Sequence, residues 1–150
     1  MTNSELNANI KALDKPGRDK FIQLCKQLNL QYGEPANDKL AYDCYIIYKG
    51  KKYIIELKDR DPKYEQYNEY ILEKDKYERV MTWKERLGAA GAYYCNFFGN
   101  KAYLFNLEDK RITNKPSKQY MNAITAKSRT EKIEKEIYLI NKEIATTYII

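Results

Sequence analysis

Hydrophobic positions recur along this chain with two different periods. Phe21, Leu24, Cys25 and Leu28 fall at i, i+3, i+4 and i+7, the spacing of one buried helical stripe. Pro16-Gly17-Arg18-Asp19 opens that helix, and it stops around Asn29 to Gly33. Residues 1–15 are polar, carry a weak helical pattern and read as a mobile lead-in. Gly33 to Asp38 reads as a loop. Tyr42 to Lys58 then holds two arms rich in Tyr and Ile about Lys49-Gly50-Lys51-Lys52, a strand-turn-strand signal. Asp59 to Tyr70 is charged, contains Pro62 and reads as a surface connection. Ile71 to Tyr77 leads into a second helix, with Tyr77, Val80, Met81 and Leu87 on its apolar side and Gly88 at its end. Ala92 to Phe98 and Lys101 to Leu107 form another strand pair about Gly99-Asn100, a two-residue turn with glycine first. They are more apolar than the first pair, as strands in the middle of a covered sheet are.

From Glu108 the pattern changes. Residues 108–130 are polar and basic, with a turn at Asn114-Lys115-Pro116-Ser117. Residues 131–150 carry both signals: Glu131 to Glu136 favours helix, whereas Ile137 to Ile140 and Thr146 to Ile150 favour strand. The segment is expected to add extended structure at a sheet edge. The order is α-β-β-α-β-β plus a tail, which predicts an α/β (α+β) fold with a central mixed sheet of about five strands flanked by helices. Residues 1–150 read as a single domain, with a core over about 16–107 and a C-terminal extension over 108–150.

The first hairpin carries the candidate chemistry. A type II′ turn at Gly50-Lys51 sets Lys49 against Lys52, Ile47 against Ile54, Tyr45 against Glu56 and Asp43 against Lys58. Opposed residues, and residues two apart on one strand, share a face. Asp43, Glu56 and Lys58 therefore meet on one face at the open end of the hairpin. They are either an ion pair at a fraying strand end or a metal site. In the second case the carboxylates suit Mg²⁺ or Mn²⁺, and the lysine orients a water or steadies developing charge.

Composition narrows the choice. The net charge of +6 favours a polyanionic partner such as nucleic acid. The chain has no histidine, which excludes Ser-His-Asp and Cys-His catalysis and histidine-ligated zinc hydrolysis. Cys25, Cys44 and Cys95 have no zinc spacing and read as reduced core residues, which places the protein in the cytoplasm of its host cell. There is no secretory signal and no apolar run of membrane-spanning length, so no membrane partner is expected.

Asp43, a hairpin turn and then Glu56-Leu57-Lys58 resemble the core of the PD-(D/E)XK nuclease superfamily. The resemblance spans roughly residues 16–107, taking in the helix before the hairpin and the helix and strand after it; the one departure is that Tyr42, not proline, precedes Asp43, a proline that many members also lack. It implies a restriction-endonuclease-like α-β-β-α-β core in a small, phage- or mobile-element-type member. The implied activity is that of a metal-dependent deoxyribonuclease, an endonuclease hydrolysing phosphodiester bonds of double-stranded or branched DNA in a bacterial or phage-infected cell, with a homodimer compatible with it. Mg²⁺ or Mn²⁺ would be held by Asp43, Glu56 and the backbone carbonyl of Leu57, with Lys58 acting on the water or the transition state. The first helix of family members often supplies a further acidic ligand, for which Asp19 is the nearest residue; a plain dipole-favouring Asp is the alternative. A lysine near the start of the second helix often orders the site, which singles out Lys76, although such lysines are also commonly just solvated. Arg60, Lys63, Lys74 and Lys76, interleaved with tyrosines, are candidates for holding the nucleic acid; an ordinary polar loop is the other reading of residues 59–70. Two rival classes remain: a catalytically inactive nucleic-acid-binding module on the same fold, and a structural or assembly protein of a mobile element.

Overall fold

The structure, a computed structural model, describes residues 3–35, 40, 42–122 and 132–150. Helix α1 (Asn3–Gln27) comes first, followed by strands β1 (Gln31–Gly33), β2 (Cys44–Tyr48) and β3 (Lys51–Arg60). A short 3₁₀ turn (Pro62–Gln66) leads to β4 (Glu69–Glu73) and directly into helix α2 (Lys74–Leu87). Strands β5 (Gly91–Phe98), β6 (Lys101–Asn106), β7 (Pro116–Asn122), β8 (Lys132–Asn141) and β9 (Thr146–Ile149) complete the order.

Six strands form a mixed sheet in the order β1-β2-β3-β5-β6-β9, with β3 and β5 parallel and the other pairs antiparallel. A separate antiparallel sheet runs β4-β8-β7. The α/β class and the central mixed sheet are as the sequence predicts, and β5 lies at its middle. Residues alternate across that sheet. Ile55, Leu57, Cys95 and Phe97 pack with Phe21, Leu24 and Cys25 of α1. Ile54, Ala92, Tyr94 and Phe98 face the other way, onto Val80 of α2 and Tyr70, Leu72 and Ile140 of the small sheet. The layers are therefore α1, the large sheet, and then α2 with the small sheet. All three cysteines are free and buried. Among the described residues no helix is long and apolar enough to cross a membrane.

Several elements differ from expectation. α1 begins by Asn3 and runs through Pro16, instead of opening there. Among the residues of α1 whose surroundings are described, Gly17, Phe21, Leu24 and Cys25 lie against the sheet, so the apolar stripe marks a covered face and not the start of the helix. Its end follows the expected place: Asn29 takes a left-handed conformation (φ 55°) and Leu30 N–H bonds to the Cys25 carbonyl at 2.8 Å. β1 occupies the region read as the end of that helix. β4 occupies part of the presumed connection, because its partner β8 lies far along the chain. The tail joins the sheet edge through β9, as expected, but β7 and β8 build the small sheet, and Pro116 starts a strand instead of sitting within a turn. Residues 36–38 of the expected loop and residues 123–131 of the tail lie outside the described residues.

Candidate functional site

The β2–β3 turn is Lys49-Gly50, both left-handed (φ 51° and 74°), which is type I′ geometry in place of the expected type II′. Tyr48 therefore opposes Lys51, Ile47 opposes Lys52, and Cys44 opposes Ile55. Carried one residue further, this register puts Asp43 opposite Glu56, and neither Asp43 against Lys58 nor Tyr45 against Glu56 holds. The shared face survives the correction. Moving a turn by one residue shifts both strands and changes partners by two, which preserves parity.

Asp43 lies just before β2. Its N–H donates to the Ile55 carbonyl at 3.0 Å, and its Oδ2 accepts the Leu57 N–H at 2.7 Å. The carboxylate thus continues the ladder where the strand has ended. In an extended strand the N–H and C=O of one residue leave on the same side, so the Leu57 carbonyl is turned towards Asp43. The Leu57 side chain enters the α1 core.

Glu56 is buried, with 6% of its surface exposed. Lys76, in the first turn of α2, places Nζ 3.0 Å from its Oε1. Burial first, and the Asp43 charge second, push the Glu56 carboxyl up to about 8, with Lys76 pulling the other way. The Glu56 charge in turn raises the Lys76 ammonium above its ordinary value. Two crowded carboxylates that one ammonium offsets only in part form a place that favours more positive charge. Their hard oxygens, with a main-chain carbonyl on the same side, fit a divalent ion such as Mg²⁺. Among the described residues no cluster of three or more acidic or cysteine side chains is placed to hold a metal.

Lys58 follows on the same face and lines a cleft of about 640 Å³. The cleft runs between β3, the start of α2 and the small sheet, and Arg60, Lys74, Lys76 and Lys135 also line it. Lys74 pairs with Glu136 at 3.2 Å. Lys63 is exposed, lies 3.9 Å from Asp61 and sits over the Tyr64 ring at 5.0 Å. Asp19 is exposed and bonded to Lys15 at 2.9 Å, on the helix that covers the opposite face of the sheet. The structure does not bring it to Asp43 and Glu56.

Two polar residues at this site escaped the sequence reading. Asn96 and Tyr94 of β5 both bond the Arg60 guanidinium. A fully buried asparagine within Tyr94-Cys95-Asn96-Phe97 was the available sign, since a polar group in an apolar strand needs a partner.

Among solved structures, the chain is similar to Hjc of Archaeoglobus fulgidus, a Holliday junction resolvase from an archaeal hyperthermophile. The TM-score is 0.51 and the identity 20%, over 85% of this chain and 88% of that one. At this identity the likeness is one of fold, and the fold is the restriction-endonuclease-like one that the sequence resemblance implies. No protein-family model and no curated protein matches the chain.

Proposed function

We propose that the chain is a divalent-metal-dependent nuclease that hydrolyses phosphodiester bonds of DNA as an endonuclease. One observation carries this reading: Asp43 and the buried Glu56 share one face, with Lys58 one step further along β3 lining the adjoining cleft, where basic side chains outnumber acidic ones. The likeness of the fold to a Holliday junction resolvase favours branched or double-stranded DNA as substrate.

Asp43, Glu56 and the Leu57 carbonyl would hold the ion, Mg²⁺ or Mn²⁺. Once bound, it would supply Lewis acidity and lower the pKa of a water. Lys58 then orients the attacking water or neutralises charge on the phosphate as it becomes five-coordinate. Lys76 keeps Glu56 in position from the helix side. Asp43 holds its own carboxylate in place by taking the Leu57 amide. Arg60, Lys63 and Lys74 contribute positive potential towards the strand, and residues 1–150 act as one domain in the cytoplasm.

The test is incubation with supercoiled, linear, single-stranded and branched DNA in Mg²⁺, Mn²⁺ or EDTA. Internal cuts that require the metal and disappear in Asp43→Ala are expected. The absence of metal-dependent cleavage on every substrate would refute the proposal.

A further inference from the structure

Arg60 stands apart from the other cations of the cleft. Its Nε donates to Asn96 Oδ1 at 2.5 Å, and its Nη2 donates to the Ile71 carbonyl at 2.6 Å and to the Tyr94 hydroxyl at 2.9 Å. Tyr94 in turn donates to the same Ile71 carbonyl at 3.0 Å, which fixes the hydroxyl as well. All three acceptors are neutral. Lys74, Lys76, Arg79 and Lys135 each lie within 3.5 Å of a carboxylate, whereas among the described residues Arg60 is joined to none. The guanidinium is half-buried and always charged. Charge withdrawn from water ordinarily has a counter-charge. The two Nη1 protons have no partner among the described residues, and Arg60 lines the cleft.

The position gives the missing partner its class. Glu56, Lys58 and Arg60 share one face of β3. The Arg60 guanidinium turns towards Asn96 and Tyr94, the β5 residues registered with Lys58 and Glu56, so it stands beside the candidate site, where a phosphate next to the one at Lys58 would pass. A guanidinium already held on three sides binds an oxyanion with little further ordering, and its planar fork suits a phosphate better than a lysine does.

We propose that Arg60 is a built phosphate-binding group that grips the backbone phosphate one step along the strand from the phosphate at Lys58. This rests on the nuclease reading for the identity of the strand. It adds that one neighbouring phosphate, and not diffuse positive charge, sets the register of the strand over Asp43 and Glu56. Asn96 and Tyr94 are then positioning residues that act through Arg60.

The test uses DNA carrying a single uncharged methylphosphonate, stepped one position at a time past the cleavage point. Binding is measured in EDTA, where no metal-dependent step intervenes. With the wild-type chain, one position next to the cut bond should weaken binding by about tenfold, the size of a charge-assisted contact. In Arg60→Gln that same replacement should cost nothing further, while the other positions keep their wild-type effects. Arg60→Lys should recover part of the loss, which separates lost charge from lost packing; thermal melting of both variants checks the fold. Equal sensitivity at all positions, or an unchanged profile in Arg60→Gln, would overturn the inference and leave the nuclease proposal standing. Phosphate-specific binding without any cleavage would do the reverse. No binding to any DNA overturns both.

Discussion

The Lys76 ammonium lies 3.0 Å from Glu56 Oε1, reaching from the first turn of α2 to the middle of β3. It is the link that ties the helix to the buried carboxylate. Lys76→Ala takes from Glu56 the ammonium that offsets its charge beside Asp43. Breaking a fully buried pair costs about 3–5 kcal/mol. Lys76 keeps 30% of its side chain exposed, so solvent screening brings the expected loss to about 2 kcal/mol. Urea unfolding above about pH 8, where the Glu56 carboxyl is ionised in the fold, should show a lower midpoint with an unchanged slope. A change under about 0.5 kcal/mol, the scale of an ordinary surface pair, would mean that the contact is incidental.

Glu56 also sets a pH dependence for the metal-free protein. Its folded pKa is raised from the ordinary 4.5 to about 8. Between those values the folded chain holds a proton that the unfolded chain has released. The contribution to stability is therefore complete below 4.5 and is lost as pH climbs through about 8. The slope for one proton is at most about 1.4 kcal/mol per pH unit. Melting curves in EDTA should show the wild type losing stability relative to Glu56→Gln across this window. Parallel curves would show that Glu56 is not perturbed.

The Lys49-Gly50 turn makes a third prediction. Lys49 is exposed and left-handed, a conformation that costs an ordinary L-residue about 1–2 kcal/mol and that asparagine tolerates better. Lys49→Asn should raise stability by about 0.5–1 kcal/mol, and Lys49→Val should lower it by about 1 kcal/mol or more. Denaturant midpoints decide it, and a destabilised Lys49→Asn would contradict the turn.

The face shared by Asp43, Glu56 and Lys58 was legible in the sequence because strand parity tolerates an error in the turn. The contacts that complete the site were not. Lys76, placed only by analogy, reaches Glu56 because β4 enters α2 with no intervening loop. β4 itself was hidden because Glu69–Glu73 pairs with β8, some seventy residues further along, and no local pattern encodes so distant a partner. Asn96 was read as one residue of an apolar strand, although its lack of a local partner was a sign of Arg60. Asp19 fitted the motif by position along the chain, but α1 packs on the far face of the sheet and leaves it with Lys15.

Asp43 carries two duties that substitutions separate. Its Oδ2 takes the Leu57 amide at 2.7 Å, and in the proposed function the same carboxylate is a metal ligand. Asp43→Ala removes both. It leaves the Leu57 amide without its acceptor, which should cost about 1–2 kcal/mol, and it should abolish cleavage. Asp43→Asn keeps an oxygen for the amide but loses the charge. It should restore most of the stability and none of the cleavage, and DNA binding should persist or tighten because a negative charge beside the phosphate is gone. Lys58→Ala should slow cleavage by roughly 100-fold or more, the scale of one lost electrostatic stabiliser, while a Mg²⁺-dependent rise in melting temperature remains. Ca²⁺ in place of Mg²⁺ should support DNA binding with little turnover, because its looser coordination positions a water poorly. Should the cluster be only an ion pair, Asp43→Asn and Lys58→Ala would alter stability slightly and change no activity. Wild-type cleavage by purified Asp43→Asn would remove Asp43 from the site altogether.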